Sequence, residues 1–306
     1  MPPAVNLLGP VLLFTPKTDL LKNLELWYTE TKNIPYPIKR LFGNMTRENL
    51  TAGLVVIGNE ILSGRTQDTN TSWIAEWLTS HGIRLIEVRV VPDIESAIIS
   101  AVNEMRGRVT YLLTTGGIGP THDDITTESI AKAFGLSVEV NEEARKILIS
   151  QYGGETGLTQ SRLKMAMVPK GAELIENPVS GAPGFRVENV FVMAGVPRIM
   201  QAMMDDIARK IESGPPILSN TISCQGMSES LIAAELERVQ EKYPDIEIGS
   251  YPHYRGGIMG LSLVLRSSDN DKVHTATQDI IDLIRRFGGE PRAMSIKSTG
   301  PAFKLS

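Results

Sequence analysis

The run TTGGIGPTHDDIT, residues 114–126, stands between an apolar strand-like segment and the helix-like segment that follows. Gly116, Gly117 and Gly119 permit positive φ and close backbone approach, and the N–H groups that open a helix attract an anion, so the run has the make-up of a phosphate cradle. Thr121 and Thr126 add hydroxyls. Asp123 and Asp124 would repel phosphate unless a divalent cation such as Mg²⁺ bridges them, and either could instead cap the helix. The bland reading is that the glycines only make a tight strand-to-helix turn. A second run, GNEILSGRTQDTN at residues 58–70, leaves the end of another strand. If the two strands are parallel neighbours, it carries Asn59, Glu60, Ser63 and Asp68 towards the Gly116 loop, where open α/β sheets place their ligands. Helix capping by Asp68, Thr69 and Asn70 is the alternative. A third run, MAGVPR at residues 193–198, offers a strand end, Gly195 and a proline placed to open a helix, with Arg198 as a phosphate ligand or a solvated charge.

Other chemistries lack their residues. Neither G-x-x-x-x-G-K-[ST], G-x-G-x-x-G nor G-x-S-x-G occurs. His81, His122, His253 and His274 show no metal-ligand spacing, and Trp73 and Trp77, four apart on one helix, read as core packing. His253, Tyr254 and Arg255 in a glycine-containing loop are residues to watch, although an exposed turn explains them as well. With 306 residues, 42% of them apolar, the chain can bury a core without staples. Its one cysteine, Cys224, forms no internal disulfide, and no apolar run reaches membrane-spanning length, so a cytoplasmic protein without a membrane partner is expected. Thirty-one basic against 35 acidic side chains give a net charge of −4, a poor field for nucleic acid, which is not expected as a partner.

Stepping along the chain, residues 1–44 show no sustained period and are expected to be a poorly structured extension, with the natural product starting at Met45. Residues 45–214 alternate strand and helix: GLVVI as a buried strand, a helix over 68–81, a strand over 83–91, and a helix with Ile94, Ala97, Ile98, Ala101, Val102 and Met105 on one face. After a strand over 109–115, helices are expected over 126–134, 142–152, 160–167 and 197–212, with strands around 185–187 and 190–194. Alternation of this kind implies a mainly parallel sheet between helices. Ser213-Gly-Pro-Pro216 breaks the chain. Residues 215–288 then read strand, helix, strand, strand, helix, a small α+β domain, and residues 289–306 as a loose tail.

The three runs, in their order, resemble the MoaB/Mog family of molybdopterin-binding domains. The likeness, over about residues 51–287, is strongest to the N-terminal domain of the competence/damage-inducible protein A family and to the molybdopterin-binding-like domain of eukaryotic FAD synthases, which the GSYP of residues 249–252 also matches. The resemblance implies a three-layer α/β/α fold, mainly parallel. It also implies either metal-dependent hydrolysis of a nucleotide diphosphate, of the ADP-ribose or FAD kind, or non-hydrolytic binding of molybdopterin in molybdenum cofactor assembly. The family's aspartates fall on Asp124 and Asp68, expected to hold Mg²⁺, Mn²⁺ or Co²⁺, with K⁺ as a further ion; Asp123 or Glu60 would position water. Its phosphate-binding positions fall on Gly116, Gly117 and Gly119, with Thr121, Thr126, Ser63 and Gly195 beside them. Relatives with PG-x-P differ from Ala194-Gly195-Val196-Pro197 here. Relatives also form homo-oligomers, for which the residues give no separate signal. The expected partner is a small phosphorylated nucleotide or pterin.

Overall fold

The computed structural model describes residues 50–297; the expectations for residues 1–44, for the start at Met45 and for residues 298–306 lie outside them. In chain order the elements are β1 (Thr51–Ile57), α1 (Asn59–Leu62), α2 (Asn70–Ser80), β2 (Arg84–Val91), α3 (Glu95–Arg106), β3 (Tyr111–Thr115), α4 (Thr126–Ala133), β4 (Val138–Val140), α5 (Glu142–Gln151) and α6 (Gln160–Lys164). They continue with β5 (Met167–Pro169), β6 (Glu173–Ile175), β7 (Gly184–Val187), β8 (Val190–Met193), α7 (Pro197–Ile207), β9 (Leu218–Gln225), α8 (Glu229–Lys242), β10 (Glu247–Arg255), β11 (Ile258–Ser267), α9 (Asn270–Arg286) and β12 (Arg292–Lys297).

The main sheet has the order β2-β1-β3-β8-β7-β6, parallel from β2 to β8 and antiparallel beyond. Side chains alternate across each strand, so β1 feeds two cores. Leu54 and Val56 join Ile74 and Trp77 of α2 and Met200 and Met203 of α7 on one face. Val55 and Ile57 join Ile98, Val102 and Met105 of α3 and Ile130 of α4 on the other. Helices on both faces make three layers, and this is why GLVVI is apolar throughout instead of alternating. Each such side chain contributes about 1.5–3 kcal/mol by leaving water. Trp77 is buried and stacks on His81 with 3.7 Å between ring centroids, and Trp73 packs at the margin of the same core, as expected of core residues.

The smaller sheet, β10-β11-β9-β12, is antiparallel, with α8 and α9 supplying Ile232, Ala276, Ile280 and Leu283 to its core. Two differences from the sequence reading have physical causes. His253, Tyr254 and Arg255, expected in a loop, lie in β10, which runs through Pro252 to Arg255 because it lies at a sheet edge, where a missing N–H is tolerated. The loose tail expected from residue 289 is corrected in part: Arg292–Lys297 pairs with β9, and too short a segment carried the pattern for periodicity to register. The break at Ser213–Pro216 is tied back, since Gly214 N donates to His81 O and Ile217 N to Thr79 O. Among the described residues no helix is long and apolar enough to cross a membrane.

Candidate functional site

Strands β1, β3 and β8 are adjacent and parallel, with Val56 opposite Thr115 and Thr115 opposite Met193, so all three motif loops leave the same edge of the sheet. The central loop starts under tight constraint. Gly116 has φ 108°, and a Cβ there would lie 2.1 Å from Ile57 O; Gly117 has φ 69°, and a Cβ would lie 2.2 Å from Thr126 Oγ1. No other residue fits either place without distortion. Gly116 N still donates to Met193 O at 3.0 Å, and the Ile118 side chain packs into the cores on both faces of the sheet. Among the described residues, the amides of Gly117, Ile118 and Gly119 have no acceptor, so a fixed backbone presents three consecutive free donors.

The loop's own side chains close it. Asp124 Oδ2 accepts from Thr121 N at 2.8 Å and from the Thr121 hydroxyl, and the carboxylate lies against Gly119. Thr126, expected at the phosphate, is fully buried: its hydroxyl donates to Gly116 O at 3.0 Å and its amide to Gly117 O. Lys164 arrives from α6 and donates from Nζ to Thr121 O at 2.7 Å and to Asp124 O at 2.6 Å. Asp123 is exposed. Its own backbone amide and the nearby Lys164 ammonium favour its charged form.

The loop after β1 has the opposite polarity. Glu60, Asp68, Asn70, Thr115 and Gly195 line one open cleft of about 60 Å³, walled by apolar residues such as Ile57 and Pro197. The Glu60 carboxylate folds over the end of β1, where a Cβ on Gly58 would meet it at 2.5 Å. Asp68 accepts from Thr71 N at 3.0 Å and from the Thr71 hydroxyl, so it does cap α2, as the alternative reading held. Asn70 is only 7% exposed. Its Nδ2 donates to Gly195 O at 2.8 Å and to Thr115 Oγ1 at 3.1 Å, and Thr115 in turn donates to Ala194 O. Because Gly195 O can only accept, the amide's orientation is fixed, and its Oδ1 is left buried without a partner. Such an acceptor costs about 1–3 kcal/mol unless something donates to it. Ser63, expected beside the phosphate, is exposed, does not line this cleft and donates to Glu60 O at 3.3 Å. Arg198 stands exposed in the first turn of α7.

Asp124, read with Asp68 as a metal pair, bonds within the central loop, and the carboxylates that line the cleft are Asp68 and Glu60. Among the described residues no cluster of three His, Cys, Asp or Glu is arranged to hold a metal ion. Two carboxylates beside an orphaned amide oxygen nonetheless suit a hard cation that takes oxygen ligands and completes its shell with water or phosphate. Asn70, Thr115 and Lys164 are the residues sequence reasoning passed over. Asn70 stood inside the second run and looked like a helix start; nothing in the chain's pattern joins Lys164 to a loop 40 residues away.

The family model described as probable molybdopterin binding domain matches residues 53–213, and that described as FAD synthase, middle domain, matches residues 216–287. A protein of Aeropyrum pernix is 34% identical over 253 residues, covering 78% of this chain and 94% of its own length. One of Pyrobaculum calidifontis is 36% identical over 211 residues, covering 66% and 80%. Among solved structures, CinA of Thermoplasma acidophilum, a protein with unknown function, superposes with a TM-score of 0.51 at 36% identity, over 53% of this chain and 98% of that one.

Proposed function

We propose a function on the premise that the chain belongs to the probable molybdopterin binding domain family: it is a metal-dependent hydrolase of nucleotide diphosphates such as ADP-ribose or FAD. The observation that carries this reading is the juxtaposition of free backbone donors at Gly117, Ile118 and Gly119 with the acceptor-lined cleft of Glu60, Asp68 and Asn70, joined where Gly195 lies against Gly116. The donors take phosphate oxygens and are already aimed, so little reorganisation accompanies charge development at the phosphoryl group. Asp68 and Glu60 would hold the divalent cation, Mg²⁺, Mn²⁺ or Co²⁺, which when bound neutralises diphosphate charge and polarises the phosphoryl group. Glu60 orients water and accepts its proton on the oxygen it does not give to the cation, since its carboxylate lies in the cleft and Asp123 does not line it. Asp124 keeps the donor loop in shape through Thr121.

The cleft is far below the 300–1,000 Å³ of a pocket for a drug-sized ligand, so it receives an ion with a few waters while the nucleoside lies outside it. The test follows AMP release from ADP-ribose and FAD by the full chain with each metal, with Glu60→Gln, Asp68→Ala and Asp124→Ala in parallel. Metal-dependent AMP that is lost in Glu60→Gln and Asp68→Ala but only weakened in Asp124→Ala supports the reading; turnover at the level of the parent in Glu60→Gln and Asp68→Ala defeats it. The matched family's description favours one second reading, non-hydrolytic binding of molybdopterin. Tight pterin binding with no AMP from any diphosphate would select it.

A further inference from the structure

We infer that Lys164 is a positioning residue of the anion loop: by holding the Thr121 and Asp124 carbonyls it turns the His122 and Ile125 amides away from itself, adding two donors for the substrate's phosphates to those of Gly117, Ile118 and Gly119. This rests on the diphosphate reading above. Lys164 closes α6, and its Nζ reaches Thr121 O at 2.7 Å and Asp124 O at 2.6 Å, the two carbonyls that flank the exposed turn. Among the described residues there is no cis peptide bond. In a trans peptide the carbonyl of one residue and the N–H of the next point in opposite directions. Drawing Thr121 O towards the ammonium therefore sends the His122 N–H away from it, and drawing Asp124 O sends the Ile125 N–H away. Neither amide has an acceptor among the described residues, and Ile125 is the residue from which α4 starts. Without the lysine the same two carbonyls are free to turn outward and present oxygen to an anion.

The ammonium acts through these peptide planes, and it also neutralises charge beside the loop, being one of the groups that act on Asp123. An uncharged side chain of similar length removes both effects. A guanidinium keeps the charge and can still donate twice.

The experiment uses the full chain with Mg²⁺, inorganic pyrophosphate as the probe, calorimetry for affinity and amide-resolved spectra of ¹⁵N-labelled protein. Lys164→Met is expected to weaken pyrophosphate binding about 10- to 100-fold, the loss typical of a charged donor's hydrogen bonds. The pyrophosphate-induced shifts of His122 and Ile125 should shrink, and Lys164→Arg should restore most of both. In turnover the loss should fall on KM more than on kcat. Thermal unfolding reports whether Lys164→Met has lost its fold; if it has, Lys164→Gln, which keeps one donor without the charge, decides. Parent-level affinity in the uncharged variants overturns the inference while leaving AMP release, and so the hydrolase reading, standing. Failure of the parent itself to bind pyrophosphate overturns both.

Discussion

The loops after β1 and β3 leave the same edge of the sheet from neighbouring strands, yet they are left with opposite polar surfaces. After β3 the side chains bond to the loop itself, Asp124 to Thr121, Thr126 to Gly116, Lys164 to two carbonyls, and backbone donors remain free. After β1 the amide donors of Asn70 are used on Thr115 and Gly195, and oxygens remain. The difference teaches that residue type alone does not set what a loop offers: Asp124 of the glycine-rich motif bonds within its own loop and Asp123 is exposed, while Glu60 and Asp68 of the less conspicuous run line the cleft.

The largest expected effect breaks or upholds that division. Glu60→Gln should lower turnover about 10²- to 10⁴-fold, the range for a positioned acid or base, while unfolding moves by less than about 0.5 kcal/mol because Glu60 is exposed. Steady-state kinetics beside urea unfolding checks it; unchanged turnover would remove chemistry from the β1 loop.

A carboxylate away from both loops sharpens the contrast. Asp206 is buried, and although burial opposes its charge, the Glu176 amide, Arg209 and Lys210 prevail and hold its carboxyl below the usual range. Asp206→Ala should cost about 1–3 kcal/mol at pH 7, the range for lost hydrogen bonds to a charged group, since Arg209 remains largely solvated, with turnover per folded molecule kept. A depressed carboxyl stabilises the fold above its unfolded pKa of about 3.9, and that contribution is lost as pH falls through the folded value. The gap between parent and variant in urea midpoints should therefore close in acid; a gap that widens there would reverse the assignment.

Gly116→Ala comes next. It should cost about 1–3 kcal/mol through strain and overlap with Ile57 O, and weaken phosphate binding in the fraction that folds. Asp68→Ala should cost less than Gly116→Ala at the top of its range, about 0.5–2 kcal/mol for a lost helix cap. If calorimetry also finds Mn²⁺ affinity unchanged in that variant, Asp68 is a cap and nothing more.

Much of this was legible in the chain because it rests on local pattern. GLVVI announced a strand covered on both faces, and the three motif loops fell at strand ends that the topology brings together. What was not legible depends on distant pairing. Thr126 looks like a phosphate ligand until its hydroxyl is seen donating to Gly116 O, and Ser63 until it is seen outside the cleft. Asn70 reads as a helix start, and only the carbonyls of Ala194 and Gly195, brought in by β8, set its amide so that Oδ1 is stranded. β12 escaped notice for the same reason, since β9 rather than its own pattern makes it a strand.

The most direct test of the central claim, donors on one loop and acceptors on the other, is a crystal of the full chain grown with Mn²⁺ and inorganic pyrophosphate, with the ion located by anomalous scattering. Mn²⁺ is expected in the cleft against Glu60 and Asp68, and pyrophosphate oxygens on the Gly117, Ile118 and Gly119 amides. Mn²⁺ on Asp123 and Asp124, with those amides facing solvent, would contradict it.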